Sequence, residues 1–292
     1  MAQEIQNIGF IGTGVMGNSM AGHLIKAGYK LHIFTRTKSK AESLIEKGAK
    51  WHDSCAALAP NCQLIITIVG EPQDVEEIYL SQDGLINHAT KGCILIDMTT
   101  SDPRLAQKIS EAAARKGLTS LDAPVSGGDT GARNAKLSIM VGGDKEAFDL
   151  AHPILSRMGE NIVYQGQAGS GQNTKMVNQI CIAASMVAVS EALAYGKGVG
   201  LDLPSVMKSI SSGAAGSWTL SNLAPRMLKG DFQPGFFIKH FVKDMNIAKE
   251  ISDENQLNTP GLSLALSYYK KMMANGKGGL GTQALFGEFT QD

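Results

Sequence analysis

The feature that most restricts the architecture of this chain is a glycine triplet placed where a strand turns into a helix. Residues 8–11 form a short apolar run, Gly12, Gly14 and Gly17 follow as G-x-G-x-x-G, and a helical pattern spans 15–26. The first glycine permits a tight turn, the second lets phosphates approach the backbone, and the third lets helix and strand pack closely. Thr13, Val15 and Met16 fill the intervening positions, where N–H groups at the positive end of a helix can face an anion. The expected ligand is a dinucleotide.

The rest of the first half has the same rhythm. Apolar, β-branched runs at 31–34, 64–69, 94–97 and 119–122 alternate with helical patterns at 38–46, 73–79 and 103–115. Continuous apolar strands alternating with helices imply a parallel sheet covered on both faces. Runs at 137–141 and 161–164, with a helix over 145–158, extend that sheet. After Gly171 strand signals stop, and helices are expected at 172–199, 204–211, 220–229, 238–253 and 262–274. The glycine-rich tail 275–289 reads as half-ordered. The fold class is therefore α/β: a doubly wound Rossmann-type domain over 1–165, then an all-α domain over 166–292 entered by a long interdomain helix.

Charge excludes some partners. Lys+Arg and Asp+Glu both number 27, so no basic excess points to nucleic acid or an anionic membrane. The longest uncharged apolar stretch, 176–190, contains Asn178 and Gln179 and suits a buried helix better than a membrane span. Cys55, Cys62, Cys93 and Cys181 form neither CxxC nor a zinc spacing, so no metal is expected and a reducing, cytoplasmic compartment is. The opening residues lack the basic and apolar regions of a signal peptide.

Four further stretches carry polar groups where chemistry could use them. The second strand runs into Thr35-Arg36-Thr37 with Lys40 beyond, and that stretch has no carboxylate for a ribose 2′-hydroxyl. Arg36 and Thr37 suit a 2′-phosphate, with nothing there to repel it, so NADP(H) is expected ahead of NAD. At 122–128, "DAPVSGG", Ser126, Gly127 and Gly128 offer a hydroxyl and unhindered N–H groups at the carboxyl edge of the sheet, suited to a carboxylate. Lys175 is the only charged residue between Glu160 and Glu191. On a helix it shares a stripe with Gln172, Asn178 and Gln179, while Met176, Val177, Ile180, Cys181, Ala183 and Ala184 should be packed. Desolvation lowers a lysine's pKa into a range useful for proton transfer, so Lys175 is the candidate acid/base. Lys243 and Asp244 lie together on a later helix.

Together these stretches resemble the β-hydroxyacid dehydrogenase family, collinearly over nearly the whole chain. The resemblance is carried by the glycine motif, "DMTTSDP" at 97–103, "DAPVSGG" at 122–128, "GSGQNTKMVNQ" at 169–179 and "KDMNIA" at 243–248. It implies that Lys175 is the catalytic acid/base, that Ser126, Gly127 and Gly128 hold the substrate carboxylate, and that Asn178 orients the substrate. It implies that Val69 and Thr100 touch the nicotinamide half of the cofactor and that Lys243, steadied by Asp244, closes over it. Homodimers or homotetramers formed through the helical domain would follow. The chain is less similar to 6-phosphogluconate dehydrogenase, which has histidine and asparagine where Asn178-Gln179 stands, and to imine reductases, which generally replace the lysine.

The expected activity is hydride transfer between NADP(H) and a small 3-hydroxy acid or its semialdehyde, of the 3-hydroxyisobutyrate or tartronate semialdehyde type. The alternatives are a broad-range reductase of succinic semialdehyde or glyoxylate, with Ser217, Trp218 and Phe236 as pocket walls, and a non-catalytic NADP(H)-binding regulator.

Overall fold

Residues 5–290 are described by a computed structural model. Two compact units divide it within one long helix, the first ending at Lys175 and the second beginning at Met176. The first holds a nine-stranded sheet: β1 (Asn7–Ile11), β2 (Lys30–Phe34), β3 (Lys50–Trp51), β4 (Leu64–Thr67), β5 (Ile94–Asp97), β6 (Thr119–Asp122), β7 (Val125–Ser126), β8 (Leu137–Gly143) and β9 (Gly159–Gly166). Their order is β3-β2-β1-β4-β5-β6-β8-β7, with β9 also paired to β8.

Strand side chains alternate between two cores. Ile8, Phe10, Leu64, Ile66, Ile94 and Ile96 point into one, whereas Ile11, Ile65 and Leu95 point into the other. Because both faces are covered, the central strands β4 and β5 read as nearly continuous apolar runs. The order reverses at β1, whose two neighbours β2 and β4 are both parallel to it. That reversal opens a crevice at the carboxyl ends of the strands, the usual ligand position in such sheets.

The sheet is not wholly parallel, as the apolar runs had suggested. β8 runs antiparallel to both β6 and β7, then pairs in parallel with β9. A fully buried run looks the same in either direction, so sequence could not give the reversal. The expected helix at 38–46 is a 3₁₀ turn, Lys38–Ala41, followed by the short helix Glu42–Ile45. The expected helix at 220–229 is two, Trp218–Asn222 and Ala224–Leu228, parted at Leu223 with Pro225 in the first turn of the second.

The helix Ser170–Gly198 is long and apolar enough to cross a membrane on length and composition alone. Its Met176, Ala183, Met186, Val187, Val189 and Leu193 instead belong to the core of the second unit. Ile238–Glu254 and Pro260–Ala274 complete that core, where Phe241 meets Tyr269 edge to face at 5.1 Å between ring centres. The glycine-rich tail departs from expectation. It folds into 3₁₀ turns at Lys277–Gly279 and Thr282–Glu288, and Thr282 through Phe286 are buried. The Gln283 amide donates to the carbonyls of Asp231 and Gln233, both at 2.9 Å, and the Tyr269 hydroxyl donates to the carbonyl of Thr282 at 2.8 Å. Those bonds give an otherwise weak segment its order.

Candidate active site

The glycine loop lies at the reversal of strand order, and steric contacts separate the roles of its glycines. A Cβ on Gly12 would come within 2.1 Å of the Ile68 carbonyl oxygen, and φ there is +92°. A Cβ on Gly17 would come within 1.9 Å of the Gly12 oxygen, whereas Gly14 faces open space. Thus Gly12 and Gly17 are required by the fold, and Gly14 leaves room for a ligand. The helix Val15–Lys26 starts with neither a side-chain cap nor an acid in its first turn. Met16 packs half-buried on the core, Val15 is exposed, and the buried Thr13 hydroxyl has no partner among the described residues. Uncapped N–H groups beside an orphaned hydroxyl and an open Gly14 fit the pyrophosphate of a dinucleotide.

Around this loop the neighbouring strand ends bring further candidates. Val69, just past β4, donates its N–H to Thr99 Oγ1 at 3.0 Å, and half-buried Thr100 follows β5. Exposed Thr37 precedes the 3₁₀ turn after β2. Arg36 is also exposed, but the expectation that nothing at this point repels a phosphate fails. The helix Pro72–Leu80 brings Asp74 Oδ1 to 2.9 Å from Arg36 Nη1.

Ser126 lies in β7 opposite Ser138 of β8, and Gly127 and Gly128 follow with φ of +130° and +62°. Successive positive φ values turn the chain sharply into the helix Gly128–Arg133, a conformation that side chains beyond Cα resist.

Lys175 sits in the second turn of Ser170–Gly198 and is 6% exposed. Two groups fix the start of that helix. Asp122, the last residue of β6, accepts the N–H of Gly169 and the N–H of Gln172, both at 2.8 Å. It caps from a neighbouring strand the N–H groups that helices leave unpaired, and the positive helix end favours its charge. The Gln172 side chain accepts the N–H of Ser101 at 2.9 Å and donates to the Thr99 carbonyl at 2.7 Å, bracketing Thr100. The helix that carries Lys175 is thereby tied to the end of β6 and to the loop that follows β5.

Beside Asp122 in register lies Asp97 of β5. Burial pushes both carboxyls up to about 6. For Asp97 that rise occurs against stabilising hydrogen bonds from Thr67 Oγ1 (2.9 Å) and the Thr99 N–H (3.0 Å). Tyr79 extends the chain with its hydroxyl 2.8 Å from Thr67 Oγ1.

The second unit holds the other candidates. The half-buried Asn178 amide donates to Gln179 Oε1 at 2.7 Å, and the Gln179 amide donates to Asp244 Oδ2 at 2.6 Å. Asp244 Oδ1 lies 3.0 Å from Lys243 Nζ, a charge contact without the alignment of a hydrogen bond. Both side chains are largely buried, so Lys243-Asp244 is no solvated surface pair. Asn178 and Lys243 are linked through Gln179 and Asp244. Sequence reasoning gave Asp122 and Asp74 no role and placed Gln172 and Gln179 only on a stripe. The available signal was an acid closing an apolar strand and two amides inside an apolar helix.

A glycine loop at a strand reversal, with a buried lysine tied to the same sheet edge, defines an NAD(P)-dependent dehydrogenase of doubly wound fold. Residues 7–166 match the family described as the NAD binding domain of 6-phosphogluconate dehydrogenase, and residues 169–288 the family described as NAD-binding of NADP-dependent 3-hydroxyisobutyrate dehydrogenase. An uncharacterized oxidoreductase of Bacillus subtilis, YkwC, is 58% identical over 281 residues, spanning 96% of this chain and 98% of its own. Probable 3-hydroxyisobutyrate dehydrogenase-like 1, a mitochondrial protein of Arabidopsis thaliana, is 47% identical over 95% of this chain and 83% of its own. Among solved structures, the 3-hydroxyisobutyrate dehydrogenase of Mycobacterium tuberculosis with L-serine aligns at a TM-score of 0.91 and 28% identity, covering 98% of this chain and 100% of its own. The chain belongs to the β-hydroxyacid dehydrogenase family, as an NAD(P)-dependent hydroxyacid dehydrogenase acting on CH–OH groups.

Proposed function

We propose that this enzyme transfers hydride between NADP(H) and a small 3-hydroxy acid or its semialdehyde, with Lys175 as general acid/base. The observation that carries the reading is the burial of Lys175 on a helix pinned by Asp122 to the end of β6 and by Gln172 to the loop after β5. When bound, the nicotinamide supplies or accepts the hydride. Lys175 gives its proton to the carbonyl oxygen in reduction and takes the hydroxyl proton in oxidation. Such help contributes roughly 10²–10⁴-fold, and positioning supplies much of the remainder. Ser126, Gly127 and Gly128 hold the substrate carboxylate, and Asn178, steadied by Gln179, orients the substrate. Gly12 through Gly17 bind the pyrophosphate, Val69, Thr100 and Lys243 the nicotinamide half, and Arg36 and Thr37 the adenosine end. Arg36 is what favours NADP(H).

The enzyme acts in the reducing cytoplasm, a reading supported by free cysteines of which Cys55, Cys62 and Cys93 are buried and pushed up to about 12 by desolvation. It self-associates through the helical unit, as the exposed apolar residues Val177, Tyr195 and Trp218 support.

The test is oxidation of NADPH and of NADH against methylmalonate, tartronate, malonate and succinate semialdehydes and glyoxylate. 3-Hydroxyisobutyrate and L-serine are assayed in the reverse direction. One 3-hydroxy acid pair should stand out, and Lys175→Ala should lower its kcat about 10²-fold or more while leaving cofactor binding intact. A near-normal rate in that variant would remove Lys175 from the chemistry.

A further inference from the structure

We propose that Asp74 is a specificity-determining residue for the cofactor, competing with a 2′-phosphate for Arg36 and so holding down the preference for the phosphorylated dinucleotide. The inference rests on the reading that Arg36 meets the adenosine 2′ position. It adds a residue from a different element, 38 positions further along the chain.

The two partners are unequally held. Asp74 lies in the first turn of Pro72–Leu80, and its side chain is 18% exposed. Its Oδ2 reaches back to accept the Glu71 N–H at 3.2 Å, leaving Oδ1 for Arg36. A carboxylate in the first turn of a helix is further favoured by the helix's positive end. Arg36 is 78% exposed and joins Asp74 through Nη1. Asp74 is thus the fixed member and Arg36 the movable one. A guanidinium has five N–H donors, so most of its fork can turn to a second acceptor.

The consequences differ for the two cofactors. The stretch after β2 lacks the acid that ordinarily accepts a ribose 2′-hydroxyl. The fold returns an acid to that point from the helix after β4. A neutral 2′-hydroxyl meets an arginine whose charge is already compensated, with a carboxylate as acceptor beside it. A 2′-phosphate is drawn by Arg36 and repelled by Asp74. With Lys40 exposed nearby, attraction still prevails, but by less than Arg36 alone would give.

The experiment is steady-state kinetics with NADPH and NADH for the wild type, Asp74→Asn and Arg36→Ala, at about 20 mM and about 300 mM salt. Asp74→Asn keeps an oxygen for the Glu71 N–H and replaces the charged acceptor facing Arg36 with a neutral amide. It should raise the NADPH/NADH ratio of kcat/KM by roughly 3–10-fold, mainly through a lower KM for NADPH, and the gain should shrink at high salt. A structural defect would depress both cofactors alike and leave the ratio unmoved. An unchanged or lower ratio in Asp74→Asn, or a gain indifferent to salt, overturns the proposal. Arg36→Ala separates the two readings. If it leaves the ratio unchanged, the assignment of Arg36 to the 2′ position fails. If it lowers the ratio while Asp74→Asn does nothing, only the competition fails.

Discussion

Asp122 closes a strand, caps a helix and begins the segment that leads to Ser126. Asn at this position keeps the shape but turns a donor toward an N–H that needs an acceptor, in a place closed to water. Near pH 4, where the native Asp122 carboxyl is already largely protonated, Asp122→Asn should therefore cost roughly 1–3 kcal/mol in urea unfolding. It should also lower kcat more than it raises the KM for cofactor, because it disturbs the helix that carries Lys175. A loss of stability with kcat unaffected would confine Asp122 to the fold. Lys175 could be singled out from sequence because a charge inside an apolar run has no trivial explanation. Asp122 could not, since its partners lie 47 and 50 residues away. Arg36 was legible as a cation and Asp74 as one more helix acid, but their pairing was not. Local pattern reveals an odd residue, while the partner that gives it meaning comes from the tertiary fold.

At the scale of elements, Ser170–Gly198 departs from a simple division into a buried apolar face and an exposed polar one. Its polar stripe, Gln172, Lys175 and Gln179, is buried, whereas Val177, Cys181, Ala184 and Ala188 form an exposed apolar stripe. The expectation that Val177, Cys181 and Ala184 would be packed thus fails within the single chain. Periodicity gave the helix within two residues at each end, but it could not say which stripe faces inward once polar groups find buried partners. The exposed stripe steps by four and three residues, the spacing by which helices seat against one another. Val177 is 62% exposed, so Val177→Glu should be harmless to an isolated chain. If a second copy covers the stripe, the variant should shift the mass measured by light scattering toward a single chain, with the circular dichroism spectrum kept. An unchanged mass, whether oligomer or single chain, would place any self-association elsewhere.

For the whole molecule, the paired acids of β5 and β6 make stability respond to pH. With folded values of about 6 against 3.8 for an ordinary aspartate, the native state takes up protons that the unfolded chain still lacks between about pH 6 and pH 4. The cost of burying Asp97 and Asp122 is full above that window and fades as pH falls through it. His32 and His52, held below 6.5 by burial first, act in the opposite sense, because the unfolded chain binds their protons sooner. A plain melting curve mixes the two effects, and the difference between wild type and Asp97→Asn separates them. The stability of the variant relative to wild type should rise by about 2 kcal/mol from pH 4 to pH 7. A difference independent of pH would mean that Asp97 titrates as an ordinary acid. The two-domain plan and seven of the nine strands were readable at this scale because apolar periodicity is local, whereas the two-residue strands β3 and β7 are too short to show any period. The antiparallel β8 and the packed tail were not, because direction and burial depend on distant partners. That tail has a consequence for how the chain is made. Tyr269 donates to the carbonyl of Thr282 and the Ile238 N–H to that of Leu280, so the core of the helical unit lacks these partners until residues 280–288 have left the ribosome. The nucleotide-binding sheet is complete by residue 166, and the interval between the two is roughly 5–25 s of synthesis. In pulse proteolysis of stalled nascent chains, the sheet should resist cleavage well before the helices do.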